Sequence, residues 1–192
     1  MLKITLFSNN PELCEYWQND FEHERNVAVC NTDYYDLPKH DCIVSPANSY
    51  GIMDGGLDLL IRDELGVHVQ DRVQWHINRH FNGCQPIGTS IIVEAFQTFD
   101  EIRSKRFKFL AHTPTMQYPQ NIQGSLNTMH SFCAALMTVN QRPNISSVAC
   151  SGMGAGVGEV PPNEVSKQMH LAYKLYLENM SKECYYHSGG SR

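Results

Sequence analysis

Asp41-Cys42-Ile43-Val44-Ser45-Pro46-Ala47-Asn48 is a mostly apolar run that ends in a proline, an alanine and an asparagine. Ser49-Tyr50-Gly51-Ile52-Met53-Asp54-Gly55-Gly56 follows, and Leu57-Asp58 then opens a stripe of Leu57, Leu60, Ile61 and Leu65. The first piece predicts a strand over 41–47, because a short apolar run bounded by turn residues suits a strand buried on both faces. The stripe predicts a helix, which Gly66 can end. Strand, glycine loop and helix in this order put the loop at the carboxyl end of a strand. Open α/β sheets hold their ligands there.

The same alternation extends outward in both directions. Leu2–Phe7 reads as a strand, and Asn10-Pro11 as a helix start, with Asn as cap and Pro at the first helical position. Leu13, Trp17 and Phe21 give that helix a buried face. Val27–Cys30 is a second strand. Val69, Val73, Ile77 and Phe81 mark another helix, and Thr89–Val93 and Phe107–Ala111 two more strands. Ile122, Leu126, Met129, Cys133 and Leu136 make the clearest helical stripe. Ser147–Cys150 is a sixth strand, and Pro161-Pro162-Asn163 starts a last helix with Asn163 as the expected cap. These elements predict an α/β fold: a three-layer α/β/α sandwich around a mixed, largely parallel central sheet of about six strands. Residues 1–184 form one domain, and 185–192, ending in glycines and serines, form a flexible tail.

Composition narrows the function. The chain has 192 residues with 15 Lys+Arg against 20 Asp+Glu, a net charge of −5. One domain of this size can bury a core without disulfides or a metal. The acidic balance argues against general nucleic-acid binding, which needs a cationic surface. No apolar run approaches the roughly 20 residues of a membrane span, and 1–10 lacks the features of a secretory signal. Seven scattered cysteines without a Cys-x-x-Cys pair read as free thiols in a reducing, cytoplasmic compartment.

Seven of the 13 glycines fall in two segments: Gly51, Gly55 and Gly56, then Gly152, Gly154, Gly156 and Gly158. Each segment follows a strand and precedes a helix. Successive backbone N–H groups at a helix start can cradle an anion, and two such loops can clamp a diphosphate without any lysine. Alternatively the glycines only make tight turns. A P-loop is excluded, because no Gly-x-x-x-x-Gly-Lys-Ser/Thr is present. The second segment fails the dinucleotide spacing and runs into Pro161-Pro162.

Val44-Ser45-Pro46-Ala47-Asn48 with Gly55-Gly56-Leu57-Asp58 resembles the first signature of macro domains, the ADP-ribose-binding fold. An Asp ten residues after the Asn is part of that pattern, and Asn48 and Asp58 keep the spacing. Ala155-Gly156-Val157, with Pro161 after it, resembles the family's second loop. Ser45–Ser49, Met53–Gly56 and Thr113-Pro114-Thr115-Met116 are similar to a bacterial and phage-tail-like branch. The resemblance implies ADP-ribose, or an ADP-ribosylated macromolecule, as partner. It implies ligand contacts from Asp33, Ala47, Asn48, Gly55, Gly56, Leu57, Ser151, Gly152, Gly154, Ala155, Gly156, Val157 and Gly158. It further implies hydrolysis of ADP-ribose from a mono-ADP-ribosylated target, with Asn48 fixing ribose hydroxyls and an ionised Asp58 activating water. A non-catalytic sensor of ADP-ribose and a phage-associated structural protein are the alternatives.

This chain departs from the family pattern at several points. Ser45 stands where the family has its first Asn, and Gly158 where it has an aromatic. Asp33 is one residue out of register as the adenine-recognising acid, with Asp36 its rival. No strand is evident after Met180. No cofactor or metal is expected. His76, His80 and Cys84 have helical spacing, but beside Val73, Ile77 and Phe81 they read as a helix edge. His112 ends a predicted strand on the ligand side, as a pocket residue or a buried histidine.

Overall fold

The computed structural model describes residues 1–98 and 105–188. Elements follow the chain as β1 (Lys3–Ser8), α1 (Pro11–Asp20), β2 (Val27–Asn31), a 3-10 turn (Tyr34–Asp36), β3 (Cys42–Asn48), α2 (Gly56–Leu65) and α3 (His68–Phe81). They continue as β4 (Ile91–Glu94), β5 (Phe109–Met116), α4 (Asn127–Asn140), β6 (Ser147–Ser151) and α5 (Pro162–Ser188). The six strands form one sheet in the order β2-β1-β6-β3-β5-β4. All neighbours are parallel except the edge pair β4–β5, so the sheet is mixed and largely parallel.

Alternate side chains feed two cores, one on each face. Ile4, Leu6, Cys42, Val44, Val148 and Cys150 pack with α1, α4 and α5 through Leu13, Trp17, Phe132, Leu136, Val165 and Met169. Phe7, Ile43, Leu110 and Ala149 pack with α2 and α3 through Ile61, Leu65, Val69, Val73 and Ile77. The result is the expected three-layer α/β/α sandwich. The six cysteines with described side chains are all free. No helix among the described residues is long and apolar enough to cross a membrane.

Local signals hold where they rest on one residue's chemistry. Asn10 caps α1 as expected: its Oδ1 accepts from Glu12 N–H at 3.0 Å and Leu13 N–H at 3.4 Å, with Pro11 first in the helix. Most bounds shift by a residue or two, and some shifts have a visible cause. β5 runs to Met116, five residues past Ala111. Pro114 is tolerated there because β4 pairs only with Phe109–His112, so no β4 carbonyl meets the missing N–H. α4 starts at Asn127, not near Ile122; Gly124, at φ 72°, turns the chain first. In α5 the first residue is Pro162, so Asn163 lies inside the helix rather than capping it. α5 also continues to Ser188, past the Tyr185 boundary expected for a tail; residues 189–192 lie outside the described residues.

Below the sheet, Asp41 ties three strands together. Its carboxylate accepts from Lys108 Nζ at 2.9 Å, from Ser146 N–H at 3.0 Å and from Ser147 N–H at 3.1 Å. Burial pushes its pKa up, but these donors outweigh it and hold the carboxyl well below the usual range. Asp41→Ala should cost about 2–3 kcal/mol at pH 7 by urea denaturation. A depressed native pKa stabilises the fold above the unfolded carboxylate range, and that contribution disappears as pH falls through the native value. The difference between wild type and variant should therefore shrink in acid. Equal stability at pH 7 would contradict the assignment.

Candidate functional site

The carboxyl ends of β2, β1, β6, β3 and β5 open into one cavity of about 790 Å³. It collects every site residue expected from the sequence, out of loops far apart in the chain. Asp33 and Thr32 line the β2 end, Ser151 through Gly158 without Met153 the centre, and Ala47, Asn48 and Gly55–Asp58 the β3 side. Asp33 lines the cavity and Asp36 does not.

Glycines of the two loops divide into two kinds. At Gly158 a Cβ would sit 2.6 Å from Gly154 O, and at Gly152 it would sit 2.7 Å from Leu13 Cδ2. At Gly51 it would sit 2.7 Å from Val73 Cγ1. Those positions are glycine because the protein packs there. A Cβ at Gly55, Gly56 or Gly156 would meet nothing within 4 Å. Gly56 has φ 56°, which by itself favours glycine. Gly55, at φ −155°, and Gly156 need glycine for neither packing nor backbone geometry. The family-like aromatic has no room at Gly158; the neighbouring Val157 lines the cavity and is 59% exposed.

Backbone donors surround these glycines. Gly55 caps α2 without any side-chain hydrogen bond, so the helix presents its first-turn amides and positive dipole end to the cavity. The second loop is a pair of tight turns. Ala155 N–H donates to Gly152 O at 3.2 Å, Glu159 N–H to Gly156 O at 2.9 Å, and Val160 N–H to Gly154 O at 3.1 Å. Ile122 N–H donates to Gly158 O, fixing the loop against the segment before α4.

Asp58 is 8% exposed, inside the first turn of α2. The hydroxyl of Ser45, on β3, donates to its Oδ1. Burial, and then the nearby Asp54 charge, push its pKa up to about 6 against the pull of the Ser45 bond. The sequence reads Asp58 as ionised; burial sets its pKa higher than that of an ordinary first-turn acid. Asn48 is bonded within its own loop. Its Oδ1 accepts from Tyr50 N–H at 3.0 Å and Ile52 N–H at 3.3 Å, and its Nδ2 donates to Ile52 O at 2.7 Å. The side chain therefore shapes the loop, and one amide hydrogen is left for another acceptor.

At the opposite end, Asp33 Oδ1 accepts from Asn9 Nδ2 at 2.8 Å. Arg106 anchors the turn that follows: it donates to Tyr34 O at 2.6 Å and to Tyr35 O and Leu37 O at 3.1 Å. Its guanidinium lies 4.5 Å from the Tyr34 ring centroid and pairs with Glu64 of α2. No sequence pattern announced this arrangement, because Arg106 is 72 residues from Tyr34.

Sequence reasoning also missed Thr115, whose buried Oγ1 in the cavity wall has no protein partner. It missed Asp54 and Glu159, two more carboxylates of the wall. Among the described residues no Lys, Arg or His lines the cavity. His112 is a buried histidine in mid-strand rather than a pocket residue. Its Nδ1 meets Gln85 Oε1 at 2.8 Å, and burial drives its pKa down to about 3. His76 and His80 stack on one face of α3, 5.6 Å apart. Among the described residues no group of three or more His, Cys, Asp or Glu could hold a metal.

A sheet-end cavity between an uncapped helix start and a second glycine loop defines a macro-type ligand-binding fold. The Macro-like domain family model matches residues 15–186, and the chain belongs to that family. An uncharacterized protein of Aquifex aeolicus is 28% identical over 130 residues, covering 67% of this chain and 70% of its own length. The macrodomain of Mycobacterium tuberculosis DarG is similar in fold, with TM-score 0.60 and 18% identity over 75% of this chain and 87% of that one. A Trypanosoma brucei macrodomain solved in complex with ADP-ribose matches with TM-score 0.56 and 19% identity, over 73% of this chain and 53% of that one.

Proposed function

We propose that this protein binds ADP-ribose and releases it hydrolytically from a mono-ADP-ribosylated macromolecule. Gly55 and Gly156 carry this reading. They face the cavity from opposite loops and have no internal reason to lack a side chain. A diphosphate between them supplies the reason, gripped by backbone amides and the α2 dipole instead of lysines. The solved macrodomain complex with ADP-ribose supports the ligand class. The adenine then points to Asp33 and the distal ribose to Asn48, Thr115 and Asp58.

In this pose Asp58 is the general base. Its carboxylate takes a proton from a water that attacks the anomeric carbon of the distal ribose. The bond from that carbon to the acceptor breaks with its electron pair staying on the acceptor, and the proton taken by Asp58 passes to the acceptor through solvent. The Ser45 hydroxyl bonds Oδ1, so Oδ2 is the oxygen that takes the proton. Release should therefore follow the ionised fraction of Asp58. The rate should rise close to tenfold per pH unit below about pH 5, reach half its maximum near pH 6 and level off above about pH 7. A flat or falling profile for ADP-ribose release would exclude Asp58 as base.

A non-catalytic reader is the second reading, favoured by one observation: Asn48 is bonded within its own loop at both ends of its amide. Incubation with a mono-ADP-ribosylated protein decides. Release of ADP-ribose by wild type and not by Asp58→Ala supports the enzyme; binding without release supports the reader.

A further inference from the structure

The cavity has a direction, and an aromatic pair stands at one end of it. Across the sheet order β2-β1-β6-β3-β5-β4, Asp33 follows β2 and Asn48 ends β3. The next strand beyond Asn48 is β5, whose exit carries Gln117 and Tyr118. Tyr50 follows β3 on the same side. The two rings pack at 4.8 Å between centroids with 32° between planes. Tyr50 hydroxyl donates to Tyr118 hydroxyl at 2.7 Å, and Gln117 Nε2 donates to Tyr50 hydroxyl at 3.1 Å. Ser49 N–H donates to Met116 O at 3.0 Å and ties the two loops together. Tyr118 is nevertheless 57% exposed. Asn48 and Ile52, flanking Tyr50, line the cavity, as do Met116 and Pro119, flanking Tyr118.

We propose that Tyr50 and Tyr118 form a shelf for the acceptor group of the substrate, and that this group is a guanidinium, an ADP-ribosylated arginine of a protein. The proposal rests on the ADP-ribose reading above. Neither ring lines the cavity itself, but a group attached to the distal ribose at the Asn48–Asp58 end lies nearest, in the sheet order, to the β5 exit that carries the pair. A ring pair held by hydrogen bonds, with Tyr118 exposed and Tyr50 half-buried, suits a flat group, and charge selects which. Asp54 and Asp58 line that end of the cavity, and among the described residues no Lys, Arg or His lines any part of it, in a chain of net −5. A planar cation is attracted by the ring faces and by the carboxylates together. A nucleobase also stacks on tyrosine, but the phosphates on either side of it would face acidic walls without a counter-cation. Asp54, four residues after Tyr50 on the same loop, supplies the nearest negative charge along the chain.

Competition against fluorescent ADP-ribose at 5 °C tests this with three probes: free ADP-ribose, a peptide carrying ADP-ribosyl-arginine, and a short single-stranded DNA carrying an ADP-ribosylated base. Wild type should prefer the arginine peptide over free ADP-ribose by about tenfold. Tyr118→Ala should erase that preference and leave free ADP-ribose within twofold, while Tyr118→Phe keeps it and Asp54→Asn reduces it. Equal affinity for peptide and free ligand, tighter binding of the oligonucleotide, or a preference that survives Tyr118→Ala would overturn the proposal. Failure of wild type to bind even free ADP-ribose would overturn the function on which it rests.

Discussion

Gly156→Glu should abolish ADP-ribose binding, by at least 100-fold in calorimetry, and leave the melting temperature within about 2 °C of wild type. The two halves of this result have separate causes. Stability is spared because a Cβ at Gly156 meets no atom within 4 Å and the backbone there is not left-handed. Binding is lost because the new carboxylate projects where the diphosphate lies, and like charges at close range cost several kcal/mol. Gly158→Ala is the contrasting control. Its Cβ would sit 2.6 Å from Gly154 O and 2.8 Å from Ile122 Cγ1, so this small change should destabilise the fold and the loop together. If Gly156→Glu binds ADP-ribose normally, the second loop does not hold the diphosphate.

Asp58→Asn should slow ADP-ribose release at least 100-fold, within the range a general base contributes, while ADP-ribose affinity stays within a few-fold. The same variant should be more stable than wild type at pH 8. Burial raises the Asp58 pKa from 3.8 to about 6 in the folded state. A raised native pKa favours the fold fully below the unfolded value, and that advantage is lost as pH rises through the native one. The difference of about two units makes ionised Asp58 cost at most about 3 kcal/mol at pH 8. Asn keeps a partner for the Ser45 hydroxyl without the buried charge. Urea denaturation should show the gap at pH 8 and its disappearance near pH 4. A variant less stable than wild type at pH 8 would contradict the buried-carboxylate account.

These expectations depend on features with very different visibility in the sequence. The Asp41–Asp58 stretch shows strand, loop and helix because each is local: an apolar run, turn-forming residues, then fourfold apolar spacing. The glycines of both loops show where a cavity belongs, but not which of them face it. Gly156 and Gly158 look alike in the chain, and only the approach of Gly154 and Ile122 separates them. Pro114 hid the end of β5, because its acceptability depends on where β4 stops pairing. Asp58 reads as an ordinary acid in a helix's first turn; its titration near pH 6 comes from burial and from Asp54 across the loop. Asn48 has one residue type for two roles, bending a loop and meeting a ligand, and its hydrogen bonds alone show that it bends the loop. The Tyr50–Tyr118 pair joins residues 68 apart, beyond any periodicity argument.

Co-crystallisation with ADP-ribose is the most direct test. A diphosphate should lie between Gly55–Leu57 and Gly154–Val157, within hydrogen-bonding distance of their backbone N–H groups. Adenine should lie at Asp33 and the distal ribose beside Asn48 and Asp58. Clear density for the protein with the cavity free of nucleotide at millimolar ADP-ribose, or a nucleotide bound elsewhere, would contradict this placement.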